Sequence, residues 1–99
     1  MIDNITSKTF NEGELFNVYY EEDKFIEFKL SKIRIGKYKI PGIDREPFAL
    51  IFTSSKEIQL NQNTYKMVNN RVGEFFIFIV PIIPLPGEHD QYYYEAVFS

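Results

Sequence analysis

From Phe10 to Phe98 the apolar residues recur at every second position, in short runs parted by turn residues, and nowhere at the spacing of a helix face. A period of two marks a pleated strand with one buried side, so this alternation restricts the chain to an all-β fold. Phe16, Val18 and Tyr20 share one parity, and the charged stretch Glu21-Glu22-Asp23-Lys24 behind them reads as a hairpin turn. Phe48, Leu50 and Phe52 form the inward face of a third strand, and Thr64 to Val68 alternates as a fourth. Phe75 to Val80 is a fifth strand, apolar on both faces, and Gln91 to Phe98 a sixth. Lys37 to Pro47 reads as a loop with a Pro41-Gly42 turn. Asn69-Asn70 is a further turn, since Asn tolerates positive φ. Residues 2 to 9 have room for a turn or two of helix, with Asp3 or Asn4 as its cap.

The second strand carries the most informative irregularity. Ile26, Phe28 and Leu30 lie on even positions, Ile33 and Ile35 on odd ones, and a regular strand cannot bury both sets. One extra residue near Ser31-Lys32 solves the conflict: a β-bulge there restores the inward face and adds the twist that lets a small sheet coil on itself. The chain also ends on the apolar strand Tyr94-Glu95-Ala96-Val97-Phe98, which needs a partner on both sides rather than a free edge. Together these features predict a small antiparallel barrel of six or seven strands, preferred over a sandwich, with residues 1-99 as a single domain. Ten Phe and seven Tyr suit such a core, because rings pack well across strands.

Several function classes are set aside by what is missing. A net charge of -3 lacks the concentrated Lys and Arg that phosphate contacts require, so no nucleic-acid partner is expected. There is no cysteine, hence no disulfide, thiolate chemistry or cysteine-held metal. The opening Met1-Ile2-Asp3-Asn4-Ile5-Thr6 has neither a basic nor an apolar signal region, which predicts a cytoplasmic protein. The longest apolar run, Phe75 to Pro86, holds three prolines and is shorter than the roughly 20 residues of a membrane helix, so no membrane span is expected.

The polar candidates each have a plain structural reading. His89 is the only histidine; Glu88-His89-Asp90 offers a weak cation site, but three adjacent residues in extended chain alternate in direction and read better as a solvated loop. Ser54 and Ser55 are the hydroxyls a triad with His89 would need, with no motif to support it. Glu27, Glu74 and Glu95 lie on or beside strands, but a two-carboxylate hydrolase also needs a cleft that a small filled barrel does not readily supply. Glu95 reads better as the structural partner of Arg45. Lys29, Lys32 and Arg34, pointed outward together by the bulge, form either a face for an anionic partner or a guard against edge pairing. No catalytic residue, cofactor or metal is therefore assigned.

The fifth strand stands apart. With both of its faces apolar, the set Phe75, Ile77 and Ile79 is taken as the outer one, continued by Ile82 and Ile83. It calls for a second cover, either the N-terminal segment around Ile2, Ile5 and Phe10 or another protein. Tyr92 and Tyr93 add a second adhesive surface.

Three segments carry a resemblance: Arg45-Glu46-Pro47-Phe48-Ala49-Leu50-Ile51-Phe52, Gly73-Glu74-Phe75-Phe76-Ile77-Phe78-Ile79-Val80-Pro81, and Tyr94-Glu95-Ala96-Val97-Phe98. In this order they resemble an uncharacterised family of bacterial domains of about 100 residues, with R-x-P-F-x-L-x-F, G-x-F-x-x-F-x-V-P and terminal Y-E-A-V-F segments. The resemblance implies an accessory of a phage-tail-like or other multiprotein assembly. The expectation from the whole sequence is thus a non-catalytic structural or protein-interaction module with a protein partner or a homo-oligomeric state. A small-molecule or glycan-binding barrel is the alternative. An enclosed pocket lined by Tyr and carboxylates would favour ligand binding, and an exposed apolar stripe along residues 75 to 83 would favour assembly.

Overall fold

A computed structural model of the chain describes residues 6–36, 47–55, 57–83 and 90–98. Six strands, β1 (Leu15–Glu21), β2 (Lys24–Ile35), β3 (Phe48–Ser55), β4 (Asn63–Asn69), β5 (Gly73–Ile82) and β6 (Gln91–Phe98), follow one 3-10 turn at Ser7–Thr9. They close into an antiparallel barrel in the order β1-β2-β3-β6-β5-β4, the architecture expected from the irregular second strand and the apolar last one. The short helical turn is capped by Thr6, whose hydroxyl accepts from the Lys8 N–H while its own N–H donates to the Thr9 hydroxyl. Asp3, Asn4 and the Pro41-Gly42 turn lie outside the described residues.

The bulge lies where the parity conflict puts it. The β2–β3 register shifts between Leu30 and Lys32, so that Leu30 pairs with Phe52 and Lys32 with Ile51. Leu30 stays fully buried and Ile33 packs against the core, while Ile35 runs past the barrel rim and is exposed. Bent at this point, β2 pairs with β1 over Lys24 to Lys29 and with β3 over Lys29 to Ile35. Lys32 and Arg34, both exposed, lie where β2 is paired with β3 and so guard no sheet edge, whereas the exposed Lys29 stands where that pairing begins.

The interior is filled by side chains, with Tyr94, Phe16, Phe28 and Phe52 the largest that are fully buried. Phe28 and Tyr94 stack at 4.6 Å, and Phe16 meets Phe52 edge-on at 5.6 Å. Each end has its own plug. Phe10 closes one, its ring within 5.9 to 6.5 Å of Phe16, Phe48, Phe75 and Phe98. Leu60, between β3 and β4, closes the other and donates its N–H to the buried Tyr94 hydroxyl at 2.9 Å.

Neighbouring strands meet over very different lengths. β3 and β6 pair at eight positions, from Phe48↔Phe98 to Ser55↔Gln91. Among the described residues β5 and β6 pair at three, Val80↔Glu95, Pro81↔Tyr94 and Ile82↔Tyr93, and Pro81 has no N–H to contribute. β1 and β4 also pair at three, but side chains bind that seam. Asn69 donates its amide to the Leu15 carbonyl, and Arg71 grips the Glu14 carboxylate through two nitrogens at 2.6 and 2.9 Å and the Thr9 carbonyl at 2.7 Å. The turn after β4 works differently from the expectation of an Asn at positive φ. No residue other than glycine has positive φ among those described; the Asn69 side chain accepts from the Arg71 and Val72 N–H groups, and Gly73, at φ 95°, supplies the left-handed step.

Candidate functional site

The outer face of β5 is the place where this barrel departs from an ordinary soluble surface. Its parity is the reverse of the expected one. Phe75, Ile77 and Ile79 point inward and belong to the core, each less than 5% exposed. The outward set is Phe76, Phe78, Val80 and Ile82, with Phe76 67% and Phe78 49% exposed, and Ile83 beyond the strand is 92% exposed. The physical signal was Glu74: a charged residue in a strand of otherwise uniform hydropathy puts its own parity on the water side. From Phe76 to Ile82 the stripe runs roughly 20 Å at the rise of an antiparallel strand.

The strand register extends this stripe sideways. Phe76 pairs with Lys66, Lys66 with Tyr19, and Tyr19 with Phe25, so four neighbouring strands present one transverse row. The Lys66 ammonium lies 4.5 Å from the Tyr19 ring centroid, and the Tyr19 and Phe25 rings are 5.2 Å apart. Half of the Phe25 surface is exposed. At the other end of the stripe Ile82 has Tyr93 as its cross-strand neighbour, both half-buried. Of the residues expected to form an adhesive surface, Ile82, Ile83 and Tyr93 therefore lie on the outside, whereas Tyr92 turns inward and packs against the core.

A second feature was not expected at all. Beyond the pair Lys29↔Thr53, β2 and β3 part, and a cleft of about 900 Å³ opens between them. Its walls carry Tyr20, Phe25, Glu27, Lys29, Ser55 and Ile58, and its lining reaches inward to Ile26 and to Ser54, which is buried. Ser54 and Ser55 belong to β3, and β6 pairs with them through Tyr92 and Gln91. The Ser54 hydroxyl donates to the Ser55 carbonyl at 3.3 Å.

The other polar candidates do not converge. Glu27 and Glu74 are exposed on β2 and β5, and Glu95 is half-buried on β6 beside Ile51 and Val80. Arg45, Glu88 and His89 lie outside the described residues, so the Arg45–Glu95 pair and the Glu88-His89-Asp90 site do too; Asp90 itself is exposed. Among the described residues no group of three His, Asp or Glu side chains could hold a metal, and no helix is long and apolar enough to cross a membrane. The best-built polar cluster is structural: the Arg71 guanidinium beside Glu14 holds that carboxyl below its ordinary range, and it ties the first strand to the β4–β5 turn.

No curated protein and no solved structure matches the chain. A protein family described as a domain of unknown function, DUF6916, matches residues 5–98. That span runs from just before the Thr6 cap to the last residue of β6, so it takes in both plugs and every stave of the barrel, and the chain belongs to this family.

Proposed function

We propose that the domain is a non-catalytic protein-interaction module that docks through the outer face of β5. The observation that carries this reading is the uninterrupted outward set Phe76, Phe78, Val80 and Ile82, followed by Ile83. A barrel filled by its own side chains gains nothing in stability from exposed phenylalanines, and a contiguous apolar patch of this kind marks a surface that another protein covers. The partner is either a second copy or a component of a larger assembly, a phage-tail-like one being the assembly that the family resemblance suggests. The transverse row of Phe25, Tyr19, Lys66 and Phe76 would form the aromatic and cationic margin of the contact.

Two measurements on paired proteins test this. Sedimentation equilibrium from about 1 to 100 μM reads association of copies, a range that spans ordinary interface affinities. Capture from the native host with the parent and the Phe76→Ser/Phe78→Ser variant as parallel baits reads a foreign partner. The variant should fold as the parent does, since both positions are exposed. The expected result is association or a captured protein that the variant loses; a monomeric parent whose captured proteins the variant retains in full refutes the reading. A small-molecule or glycan-binding role is the second reading, and it draws on the cleft between β2 and β3 with Tyr20 and Glu27 in its lining.

A further inference from the structure

The cleft between β2 and β3 has a property that a small-molecule pocket does not need: its walls are strand edges. The direction of the β2 backbone groups follows from Leu30, whose N–H donates to the Glu14 carbonyl and whose carbonyl accepts from the Gly13 N–H. Leu30 therefore points its hydrogen-bonding groups toward the β1 side. Since these groups alternate along a strand, Phe25 and Glu27 point theirs toward β3, into the cleft. Pairing with β3 begins only at Lys29↔Thr53, so neither residue has a β3 partner among the described residues. On the facing wall Ser55 has the parity of Thr53 and turns its N–H toward the same space.

Among the described residues the other half-edge of β2 is covered and this one is not. Where β2 outruns β1 on the opposite side of its bend, Gly13 and Glu14 bond to Leu30 and the Glu12 carboxylate accepts the Ile33 N–H at 2.9 Å. Likewise, where β5 and β6 diverge at the plugged end, Phe10 packs between Phe75 and Phe98. An edge two residues long that no described residue pairs, beside a groove, is a template for one more strand. The groove also has a sign, since among the described residues Glu27, Glu57 and Asp90 line it together with Lys29. Phe25 and Ile58 supply apolar contacts for alternate side chains of a guest.

We propose that this cleft accepts an extended, basic peptide segment of another protein as an added strand on β2. Backbone hydrogen bonds to Phe25 and Glu27 would set its register, the acidic rim would select its charge, and Tyr20, Phe25 and Ile58 would receive its apolar residues. The site is separate from the β5 stripe in all but Phe25, and it does not rest on the docking reading above.

The test uses the full ¹⁵N-labelled chain and one probe, the capped heptapeptide Lys-Val-Lys-Val-Lys-Val-Lys. Binding in the range of about 10 to 1000 μM is expected for so short a strand. The amide protons of Phe25 and Glu27 should gain at least about tenfold protection from exchange as the groove fills. Peptides N-methylated on one alternate set of amides should lose binding while the complementary set keeps it, because only one edge of the guest faces β2. Glu27→Lys/Glu57→Lys should weaken binding about tenfold at low salt, and Phe76→Ser/Phe78→Ser should leave it unchanged. Equal binding of the Glu-Val counterpart, indifference to N-methylation, or shifts confined to the β5 face would each overturn the proposal.

Discussion

Replacing Phe10 with alanine tests the central claim that a single residue from outside the strands stoppers one end of the barrel. Phe10 is 3% exposed and touches rings from β1, β3, β5 and β6. Truncating a buried Phe to Ala costs about 3 to 5 kcal/mol through lost transfer energy and the residual cavity. Four aromatic neighbours held by four different strands cannot collapse into the space, which puts the loss near about 4 kcal/mol. A domain of this size has a total of roughly 5 to 15 kcal/mol, so the variant keeps its fold with a much thinner margin. Urea unfolding followed by far-UV circular dichroism should show the midpoint falling by about 2 M with an unchanged slope of about 2 kcal/mol/M. The melting temperature should drop by roughly 15 to 30 °C. Phe10→Leu, which keeps an apolar plug without the ring contacts, should fall between the two. A loss under about 1.5 kcal/mol for Phe10→Ala would mean that the residue lies on the rim rather than in the core, and the description of that end would be wrong.

Tyr94→Phe removes the acceptor for the Leu60 N–H and strands a buried donor, which should cost about 1 to 3 kcal/mol in the same urea assay; the hydroxyl-free ring still stacks on Phe28, so loss of folding is not expected. The Glu14 carboxyl, held below its ordinary value by Arg71, contributes stability that is fully present above the unfolded carboxylate pKa and is lost as pH falls through the lower folded value. Unfolding measured from pH 7 down to pH 2 should therefore show a decline in the acid range that is shallower in Glu14→Gln, and equal slopes in the two proteins would count against the Arg71 clasp. Together with the Phe76→Ser/Phe78→Ser comparison, these measurements separate what stabilises the barrel from what it presents to partners.

Much of the architecture could be read from residue order because burial leaves a period-two trace wherever one face is wet. The bulge followed from Leu30 and Ile33 standing on opposite parities, and the bounds of β6 from the run Gln91 to Phe98. The same method failed on β5, where Phe75 to Val80 is apolar on both faces and alternation carries no information; only Glu74 marked the wet side. The cleft had no signature in composition or spacing. It arises because β2 turns away from β3 at Lys29, and where two strands part is a property of register and sheet coiling that no local window contains. Asn69 illustrates a third kind of miss: its turn was foreseen, but it acts through its side-chain amide rather than through its backbone angle.

The short β5–β6 seam with Pro81 in its middle makes the cylinder easiest to unroll at one line. Parting there leaves a continuous ribbon in the order β5-β4-β1-β2-β3-β6, with every other ladder intact. Two ribbons released at the same time can zip β5 of one to β6 of the other at both edges, closing a single wider cylinder from the strands of both chains that keeps every ladder but gives up the ring contacts Phe10 makes across the narrow bore. Such a pair would form slowly and would remember the concentration at which the protein was refolded, whereas the docking proposed for the outer phenylalanines would equilibrate on dilution. That history dependence distinguishes the two kinds of dimer even when their masses are identical.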